Sequence, residues 1–172
     1  MSGESLLVSL GKIGLAVAIG LPLIVYLAQD ALIFYRQPLP ESRRAEISRR
    51  FPEVQEILLQ GTDGTKIHAW HVRSPQTAPL VIYFGGNAEE VSWMIEATRD
   101  APGAAWLLVN YRGYGASEGS PSEKALVADA LTFYDHAAKL PGVDTKRIYA
   151  FGRSLGSGVA VALAAERPLA GL

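Results

Sequence analysis

Apolar residues along this chain occur in three distinct patterns. Between residues 6 and 28, LLVSLGKIGLAVAIGLPLIVYLA is interrupted by one charge, Lys12. A helix of that length crosses about 30 Å of hydrocarbon at about 1.5 Å per residue. The pattern therefore predicts one transmembrane anchor over 6–28, after a short tail at 1–5. Lys12 lies close enough to one end to snorkel, Pro22 and the glycines are tolerated in such helices, and Tyr26, Phe34 and Tyr35 suit the far interface. A cleaved signal peptide fits less well. Its charge should precede a shorter core, and the best cleavage site, after Ala28, has Tyr26 where a small residue is wanted.

The second pattern is polar. RQPLPESRRAEISRRFP, bracketed by prolines, reads as part of a juxtamembrane linker over 29–52 with about one helical turn. Arg36, Arg43, Arg44, Arg49 and Arg50 follow the span and only Lys12 lies on its N-terminal side, which places the following domain in the cytoplasm. Several of these arginines alternate with Glu41, Glu46 and Glu53 and read equally as a solvated helical face.

The third pattern belongs to a folded domain over 53–172. VQEILLQGTDGTKIHAWHV is two β-rich runs around Thr62-Asp63-Gly64, a hairpin signal because Gly64 can take positive φ. His68 and His71 are three residues apart on the second strand, so they face opposite ways and do not form a shared metal site. PLVIYF, AAWLLVNY and RIYAF are short, nearly continuous apolar runs, as in strands buried on both faces of a parallel sheet. Helical segments are expected after each, at 89–99, 122–139 and 156–166, with Ser122 as an N-cap. The fold class is α/β: an antiparallel hairpin leading into a mostly parallel sheet with flanking helices, sites being expected at the strand C-terminal ends.

Composition narrows the chemistry. A formal net charge of −1 gives no electrostatic case for nucleic-acid binding, and the chain has no cysteine for a disulfide, a thiolate metal site or a cysteine nucleophile. No metal or cofactor is expected.

Three loops rich in special residues end the three apolar runs: FGGNAEE, NYRGYGASEGSPSE and FGRSLGSG. In the third, Gly152-x-Ser154-x-Gly156 stands between a buried β run and a helix. A serine on a strained strand-to-helix turn needs small residues two before and two after it, and Gly152 and Gly156 supply them. The Leu155 N–H then offers half an oxyanion hole, with the other half expected from the first loop, around Gly86-Asn87. Gly158 is read as a helix-packing residue. The competing reading of GRSLGSG as a dinucleotide loop wants the first βα turn and an acidic residue about twenty positions on. Here the loop follows the third β run, and the chain ends fourteen residues past Gly158.

Taken together, the apolar anchor, YFGGNAEE, NYRGYGASEGSPSE and GRSLGSGVA resemble the membrane-anchored branch of the alpha/beta-hydrolase superfamily, which includes serine peptidase-like, lipase-like and thioesterase-like members. The resemblance covers residues 54–172 plus the anchor in kind, and implies the N-terminal portion of an alpha/beta-hydrolase fold. It implies Ser154 as nucleophile, Asn87 and Leu155 as oxyanion donors, and Arg112, Gly113, Tyr114 and Gly115 as loop support. Gly85 stands where many relatives have histidine, a change that leaves backbone donors intact.

The superfamily's triad runs Ser, then Asp or Glu, then His. After Ser154 there is no Asp or His, the only acid is Glu166, and His68, His71 and His136 all come earlier. RPLAGL reads as the start of a further strand, so the chain is expected to be an N-terminal fragment with its nucleophile strand at a sheet edge, a pairing hazard. The expected activity is hydrolysis of an ester, thioester or amide, from small acyl ester, thioester or peptide substrates, with little turnover by this chain alone. The alternatives are a non-catalytic, membrane-tethered binding module on the same fold and, less favoured, a nucleotide-binding oxidoreductase.

Overall fold

The computed structural model describes residues 3–172, so Met1 and Ser2 of the expected tail lie outside the described residues. The chain forms two compact units that divide between Tyr35 and Arg36. The first holds one helix, α1 (Gly3–Ile33), which contains Pro22. It begins within the expected tail and continues past residue 28. Its Val8–Ile33 stretch has a mean hydropathy of 2.1 and none of it is buried against protein. At about 1.5 Å per residue that stretch is long enough to cross a bilayer.

The second unit is a five-stranded sheet with helices on both faces. Its strands are β1 (Val54–Gln60), β2 (Lys66–Val72), β3 (Ala78–Phe84), β4 (Ala105–Asn110) and β5 (Val143–Gly152), in the order β1-β2-β4-β3-β5. β1, β2 and β4 pair antiparallel, while β3 runs parallel to both β4 and β5. The hairpin and the three apolar runs thus take the expected places.

One face of the sheet packs against α2 (Glu41–Arg50) and α3 (Met94–Ala97). Ile47 and Phe51 from the first, and Val91, Met94 and Ile95 around the second, close over Trp70, Tyr83 and Leu108. Strand residues alternate in direction, so Ile82, Phe84, Leu107, Val109, Ile148 and Ala150 point to the other face. Buried residues of α4 (Glu123–Ala137) and α5 (Leu155–Glu166), among them Phe133 and Leu163, complete the core.

Three local expectations change. The polar segment read as a linker contains a ten-residue helix, α2, whose Ile47 is 1% exposed and whose following residue Phe51 is fully buried. Two apolar residues four apart were enough to seat it on the sheet. Most of its arginines are paired: Arg43 with Glu46, Arg44 with Glu41 and Glu56, and Arg50 with Glu46 and Glu96. The helix expected at 89–99 is shorter and broken, with 3-10 turns at Val91–Trp93 and Thr98–Asp100 flanking α3. Glu89 and Glu90 stay in the loop because their carboxylates accept the backbone N–H groups of Gly86 and Ser92. Finally, β5 ends the sheet as expected, but its outer side is not wholly bare. Gly171 bridges Tyr149 in parallel, with Ala170 N–H on the Ile148 carbonyl and Ala150 N–H on the Gly171 carbonyl.

Candidate active site

Because β3, β4 and β5 are parallel, the loops after Phe84, Asn110 and Gly152 leave the sheet at one edge. The third loop is the tightest. Ser154 precedes α5 at φ 50°, ψ −115°, a left-handed conformation that a side chain rarely adopts and that costs about 1–3 kcal/mol. Neighbouring backbone enforces it: Arg153 N–H donates to the Phe84 carbonyl and Gly156 N–H to the Arg153 carbonyl, at 3.0 and 2.8 Å. A Cβ on Gly152 would collide with the Gly156 carbonyl, and one on Gly156 with the carbonyls of Phe84 and Gly85. Both glycines are therefore required by close approach. Gly158 is not: a Cβ there would meet nothing within 4 Å, so the helix-packing role read for it is corrected. It lies on the exposed side of α5, away from the sheet.

Ser154 is exposed, and its hydroxyl has no hydrogen-bond partner among the described residues. The Leu155 N–H opens α5, one of the donors a helix start leaves without an intrahelical acceptor, at the positive end of the helix dipole. The first loop lies directly opposite. A Cβ on Gly86 would be 3.7 Å from the Ser154 Cβ. Together these loops bound a cleft of about 410 Å³ that includes Asn87, Trp93, Arg153 and Ser154. A larger cleft of about 490 Å³ lies at the opposite ends of β3 and β4, around Ala78, Pro102 and Trp106. Size does not decide between them, because parallel sheets build sites at strand C-terminal ends.

The middle loop braces the other two. Tyr111 donates to the Gly85 carbonyl and Tyr114 to the Asn87 Oδ1, each at 2.8 Å. Burial raises both phenol pKa values, so the hydroxyls remain donors. Gly115 has φ 57° with its Cα against the Asn110 side chain, and Gly113 has φ 75° beside Arg36. Arg112 lies farther off: it makes two 2.8 Å bonds to Asp129 on α4 and also pairs with Asp63 at the hairpin turn.

No histidine comes near Ser154. His68 is on β2, three strand spacings from β5, or about 14 Å at about 4.8 Å each. It packs edge-on against Trp70, its Nδ1 is 2.9 Å from Asn110 Nδ2, and its Nε2 is 3.2 Å from Glu56. Burial, with Arg44 nearby, holds its pKa down at about 3. His71 faces the other side of the sheet and is depressed to about 4, mainly by burial, then by Arg73 and His136. Both are neutral core histidines.

Two site residues escaped the sequence reading. Glu89 is only 8% exposed and accepts four hydrogen bonds, one of them from Arg153, the residue before Ser154. The available signal was the opposite charge of these residues in two loops that the topology brings together.

The comparisons with known proteins agree with this architecture. The alpha/beta hydrolase domain-containing protein WAV2 of Arabidopsis thaliana is 36% identical over 119 residues, covering 66% of this chain and 39% of WAV2. Rv2307c of Mycobacterium tuberculosis is 33% identical over 160 residues, covering 91% of this chain and 56% of Rv2307c. Among solved structures, an alpha-beta hydrolase from Vibrio vulnificus superposes with a TM-score of 0.68 at 25% identity, covering 87% of this chain and 55% of that one. The chain belongs to the alpha/beta-hydrolase superfamily. No family model matches its sequence. It spans about half the length of the curated relatives it matches, 39% of WAV2 and 56% of Rv2307c.

Proposed function

We propose that this chain carries the nucleophile and oxyanion hole of a membrane-anchored serine hydrolase acting on an ester, thioester or amide. The observation that carries the reading is the Ser154 turn: an exposed hydroxyl at φ 50°, with Gly152 and Gly156 packed too tightly for any side chain. Such strain persists only where the surrounding structure over-determines it, and it clusters at functional sites. In the proposed reaction Ser154 Oγ attacks the acyl carbonyl. The Asn87 and Leu155 N–H groups donate to the oxyanion, the leaving group departs with a proton, and water hydrolyses the acyl-serine.

The three histidines do not reach Ser154, so the reading leaves the general base and its acid partner to residues other than these 172. Without them, about 10³–10⁴-fold over water is left from binding and the oxyanion hole. The same observation favours a second reading, a membrane-tethered binding module that keeps the turn without turnover. In the proposal α1 anchors the protein as a single span, with the hydrolase domain on the cytoplasmic side.

The test is fluorophosphonate labelling of the purified chain followed by peptide mapping. Slow labelling confined to Ser154 and lost in Ser154→Ala is expected. Labelling spread evenly over exposed serines, or none at Ser154, would overturn the hydrolase reading in favour of the binding module.

A further inference from the structure

Glu89 takes no part in the acyl transfer proposed above, yet its buried carboxylate accepts four hydrogen bonds beside the Ser154 turn. Its Oε1 accepts from the Tyr83 hydroxyl at 2.6 Å and Trp93 Nε1 at 3.0 Å. Its Oε2 accepts from Gly86 N–H at 2.7 Å and Arg153 Nη1 at 3.1 Å. A buried carboxylate is costly unless donors and a countercharge meet it, and here all four come from different stretches of chain. Tyr83 belongs to β3, Gly86 to the loop after it, Trp93 to the turn before α3, and Arg153 to the turn after β5.

We propose that Glu89 is a positioning residue, its Oε2 bridging Gly86 and Arg153 so that the loop bearing Asn87 is held at a fixed spacing from the turn bearing Ser154. The proposal rests on the reading of Ser154 as nucleophile. Three consequences follow from the chemistry of the bridge. The Gly86 N–H is committed to Glu89 and is therefore not a donor to a substrate oxygen. A carboxylate this close to a developing oxyanion would oppose it, and the Arg153 guanidinium offsets that charge. Glutamine cannot replace the carboxylate, because one carbonyl oxygen cannot serve the Gly86, Trp93 and Arg153 donors together, and only the Tyr83 hydroxyl can reverse its role.

The experiment compares wild type, Glu89→Gln and Tyr83→Phe, the last removing one donor while leaving the Gly86–Arg153 bridge. Fluorophosphonate labelling at Ser154 is measured beside thermal unfolding. Glu89→Gln is expected to slow labelling about tenfold or more, short of the about 10²–10³-fold that outright loss of an oxyanion donor costs, and Tyr83→Phe by much less at a similar loss of stability. Labelling that tracks stability equally in both variants would reduce Glu89 to a structural role and overturn the proposal. Should Glu89→Gln not fold, hydrogen exchange of the wild-type Gly86 amide decides. Strong protection is expected, and exchange at the rate of an open loop would overturn the bridge. That amide is read without any labelling, so failure of the nucleophile reading and failure of the bridge are distinguishable.

Discussion

Arg112 and Glu89 are both charged, both more than nine-tenths buried, and both join segments distant in sequence, but their surroundings differ. Arg112 is a cation between two carboxylates, Asp129 on the rigid frame of α4 and Asp63 at the hairpin turn. None of its partners touches the cleft around Ser154. Glu89 is an anion whose partners are a loop amide, two aromatic side chains and Arg153, whose own side chain is 61% exposed. One cluster fastens the scaffold and the other sets the spacing between two loops. Removing the first should cost stability alone, and disturbing the second should change the site.

The largest expected effect tests the scaffold half of that contrast. Asp129→Ala leaves a buried guanidinium short of its bidentate partner and should cost about 3–5 kcal/mol in chemical denaturation. Labelling of Ser154 in the molecules that remain folded should be unchanged. A drop there would show that the two clusters are not separate. Next is Gly156→Ala, whose Cβ must displace the Phe84 carbonyl. Overpacking of this kind costs about 1–3 kcal/mol, and labelling at Ser154 should fall with it because the turn itself moves.

Acid should spare the Arg112–Asp63 pair at first. Arg112 holds the Asp63 carboxyl well below the usual carboxylate range through its hydrogen bonds. The buried histidines give way earlier. His68 and His71 fall from an ordinary 6.5 to about 3 and about 4 on folding, so the unfolded chain binds more protons between those values. Their contribution is complete above pH 6.5 and is lost as pH falls toward 4 and then 3, by up to about 1.4 kcal/mol per pH unit for each. Unfolding midpoints measured from pH 7 to pH 4 should fall steadily, and midpoints that stayed flat would contradict the burial of these rings. The smallest effect is Gly158→Ala. With open space around that position, it should stabilise α5 by about 0.5–1 kcal/mol and leave labelling intact.

What was legible in the sequence follows from how far each feature reaches. The hairpin, the apolar strands, the Ser122 cap on α4 and the Gly152-x-Ser154-x-Gly156 turn are written in neighbouring residues, and each stands where its local pattern put it. The role of α2 was hidden because only Ile47 and Phe51 in a charged stretch carry it, and their partners Trp70 and Tyr83 lie on strands nineteen or more residues away. The Glu89–Arg153 pair was hidden for the same reason, its members being 64 positions apart in two loops whose meeting depends on β3 and β5 lying side by side. Gly158 was misjudged because a glycine in a helix looks the same in sequence whether it faces another element or solvent.

The most direct test of the central claim is ¹¹B NMR of the chain with phenylboronic acid, which forms a tetrahedral adduct on a serine hydroxyl backed by an oxyanion hole. The account predicts a tetrahedral boron signal with wild type that disappears in Ser154→Ala. A spectrum showing only trigonal boron, or a tetrahedral signal that persists in Ser154→Ala, would contradict it.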